Sequence, residues 1–73
     1  MEGKISIQKA SDGFLFIVLT VKRREDVNEL TLNMIEMGLD ALYEPRMVSG
    51  RYESCILYNE KAGIKIVARP VLA

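Results

Sequence analysis

An unbroken apolar run, Phe14-Leu-Phe-Ile-Val-Leu-Thr-Val21, limits what this chain can fold into. Its length and its β-branched and aromatic content make it a strand, read as the central one. A strand with one wet face alternates apolar and polar residues. Here Phe14, Phe16, Val18 and Thr20 on one side, and Leu15, Ile17, Leu19 and Val21 on the other, are all apolar or nearly so. Both faces require cover.

The 73 residues are read as one domain, 1–73, and a chain of this size buries only about 60% of the surface its unfolded form exposes. Small domains offset that marginal stability with disulfides, a metal or oligomerisation. Cys55 is the sole cysteine and histidine is absent, so one chain supplies neither a disulfide nor a zinc site. No cofactor is expected. A reduced, cytoplasmic setting is the expected default for a chain with a lone cysteine, supported by Met1-Glu-Gly-Lys4, which does not read as a secretory signal. No segment reaches the roughly 20 apolar residues of a membrane span. Ten basic and ten acidic residues give zero formal charge, so no net field draws the chain to nucleic acid or an anionic membrane.

Lys4-Ile-Ser-Ile-Gln-Lys9 alternates, as a half-exposed edge strand does. Ala10-Ser-Asp-Gly13 turns the chain. A three-residue loop Ser11-Asp12-Gly13, with Gly13 left-handed, sets Ala10 against Phe14 and Ile7 against Ile17. Ile5, Ile7, Leu15, Ile17 and Leu19 then share a face. A two-residue Asp12-Gly13 loop would instead move Ile5 and Ile7 beside the phenylalanines. The three-residue loop is preferred.

Beyond Lys22-Arg-Arg-Glu-Asp26, the spacing of Asp26 and Glu29 reads as a capping box that starts a helix. Val27, Leu30, Thr31, Met34, Ile35, Met37 and Gly38 form one stripe, with Gly38 as the stop and Leu39 behind it. Leu39-Asp-Ala-Leu-Tyr-Glu44 alternates weakly and meets Pro45, which marks an edge or interrupted strand. Val48-Ser-Gly-Arg51 reads as a second turn, Arg51–Tyr58 as a strand, Asn59–Gly63 as a third turn and Ile64–Arg69 as the last strand. The fold class is therefore α+β: a two-layer, mainly antiparallel sheet in the order β-β-α-β-β-β, with one helix on one face. Gly38-Leu-Asp-Ala-Leu-Tyr-Glu-Pro45 resembles the helix-to-strand corner of sporulation-related repeat domains, which bind peptidoglycan. The resemblance covers a minority of the chain, and that family's second helix and any export signal are missing, so neither function nor residues are carried over.

One helix covers one face, expected to be the aliphatic side of the long strand with Ile64 and Ile66. The other face is expected to lie bare, with Phe16, Val18, Cys55, Leu57 and Val67 ringed by Lys4, Ser6, Gln8, Glu53, Lys65 and Arg69. An apolar centre within a polar rim is how protein interfaces are composed. A curled sheet, or the tail Val71-Leu-Ala73 folded over that face, would close it and leave a monomer.

The chemistry-bearing inventory is thin. Cys55 lies in an apolar strand beside Ile56, which makes it a structural thiol and not a nucleophile. Lys22, Arg23 and Arg24 stand where a strand feeds a helix and form a possible anion or nucleic-acid contact. Tyr43, Tyr52 and Tyr58 with Arg46 and Arg51 could stack single-stranded bases, though zero net charge counts against it. The sequence thus reads as a non-catalytic binding or regulatory module that forms a homo-oligomer, a dimer first of all, or docks on another protein through its apolar sheet face. Nucleic-acid or phosphate binding by Lys22–Arg24 and the tyrosines is one alternative, and a phage-type inhibitor of a host protein is another.

Overall fold

A computed structural model describes residues 4–70. It is a two-layer α+β structure: strands β1 (Lys4–Lys9) and β2 (Leu15–Val21), helix α1 (Arg24–Glu36), then β3 (Asp40–Val48), β4 (Arg51–Asn59) and β5 (Ala62–Ala68). The tail Val71–Ala73 proposed above as a cover lies outside the described residues. The strands form one five-stranded sheet in the order β1-β2-β5-β4-β3. Neighbours are antiparallel except β2 and β5, which run parallel. The run containing Phe16 and Val18 is therefore an interior strand, while β5 holds the middle.

The first hairpin adopts the preferred register. Ile7 faces Ile17 and Lys9 faces Leu15, the amide of Ala10 donates to the carbonyl of Phe14 at 2.8 Å, and Gly13 has φ +90°. Asp12 fixes the loop by accepting from the Phe14 amide at 2.9 Å. The second hairpin turns on Ser49 and Gly50, both at positive φ, between the paired residues Val48 and Arg51, the backbone a two-residue hairpin loop requires.

The helix starts earlier than the sequence spacing implies. Arg23 is its N-cap, extended at φ −130°, and Asp26 is the third helical residue, its carboxylate accepting from the Arg23 amide at 3.3 Å. Asp26 thus acts as the back-reaching acid of the first turn and not as the cap itself, and Arg23 ties down the same turn through Glu25 and Asp26, each at 3.8 Å. The helix ends as expected. The amide of Gly38, at φ +101°, donates to the carbonyl of Ile35, and that of Leu39 to Met34 at 3.1 Å, the paired bonds of a glycine-terminated helix.

Pro45 does not end β3. The strand runs on to Val48 with register shifts on both sides of Tyr43, and it can do so because it lies on the sheet's outer edge, where a proline breaks no ladder on its free side. The last strand also begins earlier than expected, at Ala62, and ends at Ala68.

The topology decides where the helix lies. From β2 the chain must reach the far edge of the sheet before β3, β4 and β5 lead it back to pair beside β2. Helix α1 makes that crossing, so it lies over β3, β4 and β5, reaches β2 less and does not touch β1. Between helix and sheet Val21, Val27, Ile66 and Ala68 form the core, with Leu19, Leu30, Met34, Tyr52 and Ile64 packed around them. These include the aliphatic positions of β2 and β5 expected from the sequence. One polar pair is buried there: the Ser54 hydroxyl donates to Thr31 Oγ1 at 2.6 Å, while Thr31 donates to the Val27 carbonyl at 2.6 Å.

Candidate functional site

Registers across the sheet place Phe16, Val18, Cys55, Leu57 and Val67 on the face opposite the helix, as the alternation implies. That face is not open. Cys55 is fully buried, Val67 is 6% exposed and Val18 is 8% exposed, while Phe16 and Leu57 are half-buried. The expectation of a bare surface there is corrected by the side chains of the sheet itself.

The cover is assembled from rings and long side chains. Phe14 packs on Phe16 with centroids 4.9 Å apart, and its ring lies over Gly63, where an added Cβ would meet Phe14 Cε2 at 3.3 Å and Cys55 Sγ at 3.5 Å. Gly63 thus leaves the space into which the ring settles. The ammonium of Lys65 lies 4.5 Å from the Phe16 centroid, laying its methylene stem over the apolar ground. Beyond Cys55, the Tyr43 hydroxyl donates to the carboxylate of Glu53, itself only 7% exposed, and the Arg46 guanidinium lies 4.4 Å over the Tyr43 ring. Burial first, then the hydrogen bond and charge of Glu53, holds the Tyr43 phenol far above its usual pKa. Burial likewise pushes the Cys55 thiol up, as expected for a structural cysteine.

One contiguous exposed apolar surface lies on the helix side, on the half that α1 does not reach, while Leu32, Met37, Leu42 and Met47 are exposed elsewhere. Ile5 is 70% and Ile7 71% exposed, and Leu15 and Ile17 are exposed beside them. Cross-strand pairing sets Ile7 against Ile17 and Ile5 against Leu19, so these side chains make one strip along the outer hairpin. Lys9 stands at its turn end. The sequence grouped these residues on one face. What it did not reveal was the lateral position of the helix, which depends on strand order.

The basic residues and tyrosines do not converge. Arg23 is held by Glu25 and Asp26, and Arg24 lies 5.3 Å over the Tyr52 ring, whose hydroxyl donates to Asn28 at 2.6 Å. Lys22 is exposed. Tyr52 packs with the helix-side core, Tyr43 closes the opposite face and Tyr58 is exposed near the end of β4. Among the described residues, no helix is long and apolar enough to cross a membrane.

Compared with solved structures, the chain is similar to the hypothetical protein SA1046 from S. aureus, with a TM-score of 0.68 and 22% sequence identity. The match covers 74% of this chain and 42% of that one, so the chain spans less than half the length of its neighbour. At that identity the likeness is one of fold. No family model matches the sequence, and no curated protein does. The likeness of the Gly38–Pro45 corner to sporulation-related repeats therefore remains local.

Proposed function

We propose that this chain is a non-catalytic protein-binding module that acts through the apolar strip Ile5, Ile7, Leu15 and Ile17. The supporting observation is the exposure of two isoleucines, above two-thirds each, on an outer strand adjoining further exposed aliphatic residues. Scattered surface hydrophobes are ordinary, but contiguous ones ringed by polar residues mark interaction sites. Lys9, paired with Leu15 on the same face, supplies the polar neighbour at the turn end of the strip. The binding surface thus shifts from the Phe16–Val18 face to the reverse side of the same hairpin. The dispersal of the tyrosines lends the nucleic-acid alternative less support.

The test is the double substitution Ile5→Lys/Ile7→Lys. Both side chains are exposed, so the thermal midpoint should move by no more than a few degrees, while self-association by light scattering, or capture of a purified partner, should fall at least tenfold. Unchanged association in a folded variant would overturn the proposal.

A further inference from the structure

Resting on the reading of the strip as the binding surface, we infer that its occupant is a second copy of this chain, paired antiparallel along β1 with Ser6 on the two-fold axis. The geometry begins with the backbone. Ala10 donates to the Phe14 carbonyl, and bonded and unbonded pairs alternate along an antiparallel ladder. The register of the hairpin then makes Gln8–Phe16 and Ser6–Val18 bonded pairs. The amides and carbonyls of Ile5 and Ile7 are left pointing away from β2, along the outer edge of the sheet. Such a row is a template for another strand.

The side chains select which strand fits. When Ser6 lies opposite its own copy, Ile5 faces the second copy's Ile7 and Lys4 faces its Gln8. Both isoleucines then meet isoleucines, and no lysine meets a lysine. Moving the axis toward the turn sets Lys4 against Lys9 after one step and Ile5 against Lys9 after two, which the lysines disfavour, the register-selecting use of edge charges. Moving it two steps the other way sets Ile5 against Ile5 and leaves Ile7 without an isoleucine partner. In the favoured register the outward-pointing groups of Ile5 and Ile7 pair with each other, so backbone and side chains agree. The two sheets join into one continuous sheet with both helices on the same side, and the isoleucine rows become its centre. A strand edge of this length falls short of the roughly 800 Å² per partner of a standard interface, so the assembly is expected to depend on concentration.

Ser6 and its copy form an unbonded pair, with Cα atoms about 4.5 Å apart, within the range a disulfide spans. Gln8 and its copy are offset by about 13 Å along the strands and cannot bridge. The experiment places Ser6→Cys, Gln8→Cys and Lys4→Cys singly in a Cys55→Ala background and oxidises each at high protein concentration in a glutathione buffer. Ser6→Cys should cross-link at least tenfold faster than Gln8→Cys, and an equal mixture of the Lys4→Cys and Gln8→Cys chains should cross-link to each other. Should Cys55→Ala fail to fold, the same cysteines go into the natural chain, where Cys55 is buried and shielded. Equal rates for Ser6→Cys and Gln8→Cys, or a monomer by sedimentation at every concentration, would overturn the inference. If Ile5→Lys/Ile7→Lys still abolishes capture of a different protein, the binding-module reading survives that failure. If it changes nothing, both fall.

Discussion

The two faces of the sheet carry similar amounts of apolar sequence and are closed by opposite means. Between helix and sheet, Val21, Val27, Ile66 and Ala68 are packed as an ordinary two-layer core, yet on the same side the outer hairpin leaves Ile5 and Ile7 in water. Across the sheet no helix lies among the described residues, but Cys55, Val67 and Val18 are nearly inaccessible beneath Phe14, Lys65, Tyr43 and their neighbours. Counting helices therefore gives the wrong side for the open surface. The lateral position of the helix, set by the chain crossing from β2 to the far edge, matters more than its presence.

The largest effects are expected from one substitution in each closed region. Ile66→Ala should cost about 2–5 kcal/mol, the range for truncating a large buried aliphatic side chain. Val18→Lys should be worse, since it buries a charge without a partner in a domain whose total stability is on the order of 5–15 kcal/mol. If the face opposite the helix were an open binding surface, Val18→Lys would leave a folded monomer. Chemical denaturation and far-UV dichroism decide between the two outcomes.

Next in size is the polar seam of that face. Tyr43→Phe removes the hydroxyl donating to the buried Glu53 carboxylate and should cost about 1–3 kcal/mol. The same region governs the alkaline limb of stability. Cys55 and Tyr43 both have raised pKa values in the folded chain, so above about pH 8.5 for the thiol and about pH 10 for the phenol the unfolded chain releases protons that the folded one retains. Stability is fully present below those values and falls as pH rises. Thermal midpoints between pH 7 and 10.5 should decline, and the slope should be shallower in Cys55→Ala and in Tyr43→Phe. A decline equally steep in both variants would show that neither group is responsible.

Under the helix, the corresponding polar contact is Thr31 with Ser54. Either Thr31→Val or Ser54→Ala alone should cost about 1 kcal/mol, and the double variant should cost less than the sum, because removing both hydroxyls strands neither. Strict additivity would mean that the two hydroxyls are not coupled.

Local patterns carried most of the fold. Alternation in Lys4–Lys9 and the Ser11-Asp12-Gly13 turn located the first hairpin and its register, and Gly38 with Leu39 located the helix end. The two-sided greasiness of Phe14–Val21 pointed to the central strand, and the run is an interior one beside β5, which holds the centre. What stayed hidden depends on contacts distant in sequence. Strand order, and with it the helix position, arises from the parallel pairing of β2 with β5, which no local pattern encodes. The closure of the second face depends on Gly63, a turn residue by sequence, standing under Phe14. Asp26 could be assigned to a cap from its spacing, but its role as cap or third residue depended on where the extended backbone of Arg23 ended.

The smallest effect on stability belongs to the surface given the largest role. Ile5→Thr/Ile7→Thr keeps β-branching, and hence strand preference, while removing apolar area from positions that are already exposed. Stability of the isolated subunit should change by no more than about 0.5 kcal/mol per site, as for other surface substitutions. Sedimentation at rising concentration should nevertheless show weaker association than the natural chain, and adding Ser6→Cys should cross-link more slowly than in the natural strand. A variant that loses stability by several kcal/mol would show that the isoleucines are held within the subunit, and the distinction between a closed face and an open strip would disappear. A variant unchanged in both respects would leave the strip exposed and without a binding role, because an interface that tolerates losing its central hydrophobes has not been using them.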